Sequence, residues 1–270
     1  MSAFLHHLAY DFRTGVRDKS KLLLYYLFPL VFFALVGGIM TGINPGFKDT
    51  MLPAMILFAL MSSTLLAIPP QFVQARESGV FRSYRINGVP SGSIISIPVI
   101  GTALHMAVVA VVICIAGAQL FGGVPPVRIA GFVLAGLLSY AAYAGMGVLI
   151  GVTAANENAS MLLAQLLYIP SILLGGLMMP ASILPEGLQR AALLLPAAHC
   201  MRVFAGLAFS QPGTPIPWLS IAVLAASVLL SFGLAGWLFA WDSRLGQSRG
   251  KTFAALLVGV PYAAAALLGG

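Results

Sequence analysis

Charge is what this chain has least of. Aspartate and glutamate together number 7 in 270 residues, and all charged residues make up 8% of the chain, about a third of the share usual in soluble domains. A soluble domain of this length could not cover its surface with so few polar groups. Two cysteines, Cys114 and Cys200, exclude a disulfide framework and a cysteine-built metal site. No G-x-x-x-x-G-K-[ST] phosphate loop occurs, so an ATPase site of that kind would have to lie on another polypeptide. The opening MSAFLHHLAYDFRTGVRDKSK also lacks a signal-peptide pattern, because its charges follow its short apolar part.

What the chain has instead is apolar length. The hydrophobic fraction is 60% and the mean hydropathy +0.98, which define an all-α integral membrane protein. Six stretches, 22–43, 51–73, 94–120, 128–153, 159–180 and 217–241, each supply about 20 apolar residues, enough to cross a hydrocarbon core of about 30 Å. The third and fourth are generous and predict tilt or extension beyond the core. No internal repeat is evident, and the chain reads as one membrane domain over residues 1–270.

The 14 basic residues set the orientation. With the N-terminus in the cytoplasm, that side receives Arg13, Arg17, Lys19, Lys21, Arg76, Arg82, Arg85, Arg244, Arg249 and Lys251. The outside receives only Lys48, Arg128, Arg190 and Arg202. Both termini are therefore expected inside. The basic residues sit in short loops rather than on one face, which argues against nucleic-acid binding.

Three segments fit none of the six spans. In residues 1–21, Leu5, Leu8, Phe12 and Val16 recur at helical spacing between Asp11, Arg13 and Arg17, predicting an amphipathic helix on the inner membrane surface. Residues 181–216 hold two apolar runs too short to span, split by Pro185 and Pro196, and read as an external re-entrant region. Residues 242–270 form a tail whose 17 or so apolar residues, interrupted by Pro261, leave a seventh crossing open. Cys200 is expected to react with an impermeant maleimide from outside, and Cys114 to stay hidden.

The span cores hold no Asp, Glu, Lys or Arg; His105 is their only ionisable group of this kind. Ion-coupled transporters keep such residues inside the membrane, as do intramembrane enzymes with paired carboxylates or metal ligands. His105 is expected to be a hydrogen-bonded packing residue rather than a proton carrier. His6, His7 and the run His199, Cys200, Met201 have no converging partners for a metal. Gly38 with Gly42, Gly147 with Gly151, and Ala141 with Gly145 stand four apart, the spacing that lets helices approach closely.

Polar residues concentrate instead in QARESGVFRSYRINGVP, Gln74 to Pro90, within a loop over 74–92. Pro69 and Pro70 are expected to kink the second span just before it. The loop is far longer than a connector needs. It carries Glu77 among Arg76, Arg82 and Arg85, with Phe81 and Tyr84 expected to stand exposed beside them, a mixture that suits a protein contact.

This segment resembles the first cytoplasmic loop of the permease subunits of ABC-2-type exporters. The family's E-x-G element matches Glu77, Ser78 and Gly79, followed by an arginine and a G-x-P-like turn at Gly88, Val89 and Pro90. A second match runs through LLAQLLYIPSILLGGLMMPASILPEGLQRAALLLPAAHCMRVFAGLAF: Gly175, Gly176 and Pro180 end the fifth span, Leu184 and Pro185 open an external helix, and Pro196 follows. Two departures are Leu195, where the family usually has asparagine, and the apolar tail after Lys251.

The resemblance implies an all-α permease that is not itself an enzyme. It would pair with a second copy or paralogue, each docked on a cytoplasmic ATP-binding-cassette ATPase that holds the ATP and Mg, with no cofactor on this chain. Arg76 to Arg85 would be the coupling helix, contacting the ATPase through Arg76, Glu77, Gly79, Phe81, Arg82, Tyr84 and Arg85. Pro180, Pro185, Pro196 and Arg202 would belong to the external re-entrant region. An amphipathic or hydrophobic substrate would move outward across a cell membrane, as in a bacterial inner membrane, with lipid around the spans and no nucleic-acid partner. An ion-coupled secondary transporter and a non-transport membrane assembly subunit are the alternative functions.

Overall fold

The computed structural model describes residues 2–178, 183–210, 215–241 and 253–268. Among these, six helices are long and apolar enough to cross a membrane. We number the helices α1 (Ser2–Arg17), α2 (Lys19–Ile43), α3 (Phe47–Glu77), α4 (Val80–Ile86), α5 (Ser91–Phe121), α6 (Ile129–Thr153), α7 (Glu157–Leu174), α8 (Glu186–Ala192), α9 (Pro196–Phe209), α10 (Trp218–Leu238) and α11 (Ala254–Leu267). The six spans are α2, α3, α5, α6, α7 and α10. The chain is a multi-pass membrane protein.

Helix α3 is the centre of the bundle. Its apolar residues run around the whole circumference, and Met51, Leu52, Met55, Leu57, Phe58, Met61, Leu65 and Ile68 are all buried, as expected for a helix with no polar face. Ser62, Ser63 and Thr64 sit at its buried middle, and their hydroxyls donate back to the carbonyls of Ala59 and Leu60. Such back-bonding satisfies polar atoms without a partner helix. Over Ser63–Ala67 the helix widens to a π turn, and Pro69 and Pro70 follow in the first turn of the restored α-helix. The irregularity expected from the two prolines therefore lies just ahead of them, where their missing N–H groups shift the ladder.

Lipid has no greater affinity for a leucine than another leucine does, so membrane helices pack through small residues. Gly147 and Gly151 follow this rule. A Cβ on Gly147 would strike the carbonyl of Thr64, and one on Gly151 would meet Phe72 and Pro69, so α6 lies directly against α3. Gly145 faces the other way, onto Ser231 of α10. By contrast, Gly42 has nothing within 4 Å.

Helix α1 is not free on a surface. Asp18 separates it from α2 and accepts the N–H groups of Ser20 (2.8 Å) and Lys21 (3.1 Å), capping the first span. The face of α1 against α5 carries Phe4, His7, Leu8, Asp11, Phe12 and Gly15, while Leu5 and Val16 are exposed. The expected stripe is thus divided: Leu8 and Phe12 turn toward the protein, while Leu5 and Val16 stay on the outer surface, where an interfacial helix would meet the membrane. A helix choosing a protein neighbour is decided by close approach, and Gly15 supplies it: a Cβ there would sit 2.6 Å from His105 Nε2.

Helices α8 and α9 meet at 89°. Pro185 caps α8, and Pro196 opens α9. Helix α9 is buried in the bundle through Ala197, His199, Cys200, Val203 and Phe204, and Arg128 N–H at the start of α6 donates to Ala208 O. Cys200 is 0% exposed, so the expected reactivity from outside is overturned. Helix α11, with a 3₁₀ first part at about 2.0 Å per residue and an α-helical second part at about 1.5 Å, is about 24 Å long, short of a core of about 30 Å. It packs on α10 and α6, with Tyr262 buried 5.6 Å from the His199 ring.

Candidate coupling site

Two glycines shape the polar segment. Gly79 adopts φ +79° and Gly88 φ +71°, left-handed conformations that any Cβ would strain. The first ends α3 and starts α4; the second ends α4, and Pro90 in an extended conformation then leads into α5. Ser78 seals the break by donating its hydroxyl to Gln74 O at 2.7 Å.

Helix α4 turns one face inward. Phe81 is 4% exposed, its ring 6.0 Å from Phe72 and 5.2 Å from Phe239 at the end of α10. Tyr84 is half-buried, with its ring 5.7 Å from His7 of α1. The expectation that Phe81 and Tyr84 stand exposed is corrected here. In a seven-residue helix the positions three apart share a face, and this face is claimed by α1, α3 and α10. Glu77, Arg82, Ser83, Arg85 and Ile86 point outward.

Arg76 is also buried, at 8% exposure. Its guanidinium donates to Val152 O at 3.0 Å and to Ala154 O. Val152 O lies in the last turn of α6 and Ala154 O just beyond its end, where no intrahelical donor remains. Arg76 therefore faces the protein, not the surface. Two residues on, Asn156 caps α7 by accepting Ala159 N–H at 2.8 Å, so the α6–α7 turn is short and held at both ends.

Beneath α4 lies a cavity of about 130 Å³ lined by His7, Asp11, Gln71 and Tyr84 among others. Deeper in, Gln71 Nε2 donates to Tyr25 Oη (3.2 Å), and Tyr25 pairs with Thr102 (3.0 Å). Tyr26 Oη joins His105 Nδ1 at 2.7 Å, and Asp11 pairs with Lys21 at 3.6 Å. His105 is thus a packing histidine between α1, α2 and α5. His199 donates Nε2–H to Leu193 O (2.9 Å) and pairs through Nδ1 with Ser220 Oγ (3.1 Å). Among the described residues no three His, Cys, Asp or Glu side chains gather as a metal group would.

Of the re-entrant residues singled out in the sequence, Pro185 and Pro196 mark the α8–α9 helix starts, Arg202 is exposed on α9, and Pro180 lies outside the described residues. Sequence reasoning missed the α6–α7 turn as a neighbour of the polar segment. Its signal was Arg76 standing four residues after Phe72, on the face of α3 that is otherwise buried.

Five apolar crossings packed around a buried sixth, with a folded polar segment between the second and third, form a polytopic membrane subunit. The chain belongs to the ABC-2 type transporter family, whose family model matches residues 3–209. It is the transmembrane permease component and not itself the ATPase. Comparison with curated proteins gives no match.

Proposed function

We propose that the chain is the permease of an ATP-driven exporter, with α4 docked in a separate cytoplasmic ATPase that holds the ATP and Mg. The observation that carries this reading is the outward face of α4. It presents Arg82 and Arg85 together with Ile86, which is 80% exposed, beside Glu77 at the end of α3, on a helix whose other face is locked to α1 and to the spans α3 and α10. Charged residues around an apolar anchor suit a protein groove. The distribution of basic residues supports a cytoplasmic location for α4 and both termini, in a cell membrane such as a bacterial inner membrane. Two permeases, identical or paralogous, enclose the path of an amphipathic or hydrophobic substrate, since the spans offer no charged pocket to a polar one.

The test is co-purification. The tagged chain is extracted gently from native membranes and its companions identified, with and without scrambling of residues 74–90. An ATP-binding-cassette ATPase that accompanies the native chain and is lost with the scramble is the expected result. A well-preserved preparation without an ATPase would overturn the reading.

A further inference from the structure

We infer that Arg76 is a positioning residue, which ties the cytoplasmic end of α3 to the α6–α7 turn so that motion of α4 is delivered to α7. This rests on the docking of α4 proposed above, and it assigns Arg76 a place inside the permease instead of on the ATPase contact. Three observations carry it. The guanidinium bridges Val152 O and Ala154 O, two carbonyls on either side of the point where α6 ends. A planar fork holds both carbonyls in one fixed geometry, whereas a lysine ammonium is a rotatable point donor on a flexible stem. Below this bridge α6 has no slack against α3, because Gly147 and Gly151 bring the backbones into contact with Thr64, Pro69 and Phe72. Beyond it, only Ala154, Ala155 and Asn156 separate α6 from α7, and Ala154 N–H is closed onto Ile150 O.

A push on α4 passes through Gly79 into the last turn of α3, where Arg76 sits. With the bridge intact, the α6–α7 turn has to follow. Helix α7 then moves as well, and its outward residues Leu162, Leu166 and Leu173 are exposed along one side. A bridge of purely structural value would stabilise the fold without linking these displacements.

The test separates the tie from the docking. Spin labels at Ser78→Cys and Ala155→Cys, both exposed positions, are placed in a Cys114→Ala chain and their distance distribution is measured without any ATPase. Arg76→Gln is expected to broaden the distribution and Arg76→Lys to give an intermediate width; an unchanged distribution in both would overturn the tie. In the complex with the co-purified ATPase, Arg76→Lys is expected to keep its affinity while coupled ATP hydrolysis falls about tenfold, the effect of losing one charge-assisted hydrogen bond. A drop in its affinity for the ATPase would make Arg76 a contact residue and sink the inference. Should no ATPase exist, the docking falls, and with it the delivery of motion, while the label distances still report whether the tie is there.

Discussion

Phe12 and His105 lie face to face, ring centroids 4.3 Å apart and planes 7° from parallel. One ring comes from the N-terminal helix and the other from the third span, so this stack is where α1 is held against the bundle. Phe12→Ala is expected to undock α1 and to speed tryptic cleavage at Arg13 and Arg17 severalfold, since a stacked pair contributes about 0.5–1.5 kcal/mol beyond its buried area. Gly15→Val should act in the same direction by driving a side chain into His105 Nε2. Unchanged proteolysis in both variants would mean that α1 is held elsewhere.

Close approach of α6 to α3 makes a second prediction with an internal control. Gly147→Val forces a side chain onto the carbonyl of Thr64 and is expected to destabilise by about 1–3 kcal/mol, the usual effect of overpacking. Gly42→Ala meets open space, and its melting temperature in detergent should stay level or rise slightly. If the two glycines respond alike, the packing described here is wrong.

The two faces of α4 should separate in mutation. Phe81→Ala removes a ring buried between Phe72 and Phe239 and is expected to lower thermal stability by about 3–5 kcal/mol. Arg82→Glu and Glu77→Arg change exposed charges, so insertion and melting should be little altered while ATPase coupling is lost. Normal coupling in both charge variants would remove this face from the docking site.

The cysteines offer a test without a partner. Cys114 is half-buried on the wall of an apolar groove of about 340 Å³ that also holds Met106, Phe132 and Tyr140. Cys200 is wholly enclosed beside Ser139 and Tyr143. A lipid-soluble maleimide should therefore label Cys114 in the folded protein, Cys114→Ala should abolish that labelling, and Cys200 should react only after unfolding. Labelling of Cys200 in the native state would contradict the seating of α9.

The spans were readable because length and composition alone determine them, and every span overlaps its expected stretch. Pairings between distant parts of the chain were not readable. Phe81 and Tyr84 look like surface anchors until Phe239 and His7 arrive from more than 70 residues away in sequence. Arg76 counts as an exposed inside charge until the carbonyls of α6 reach it. For α1, periodicity correctly predicted a helix but not its packing on α5, which Gly15 and Phe12 make against His105. Pro261 did mark a change of geometry, since a 3₁₀ stretch over Ala254–Gly259 precedes the α-helical turn that contains it, as suits a residue confined to a helix's first turn.

One consequence of the buried α3 concerns what each span senses. Val31, Leu35, Ile39 and Ile43 along α2 are exposed on this chain, so whatever borders the chain in the bilayer touches α2 first, and a change of bilayer thickness acts at this outer layer of spans. For α3 the surrounding medium is the protein itself. A thinner or stiffer bilayer can reach it only after its neighbours have shifted, which insulates the span that leads to the coupling segment from the lipid in which the molecule happens to sit.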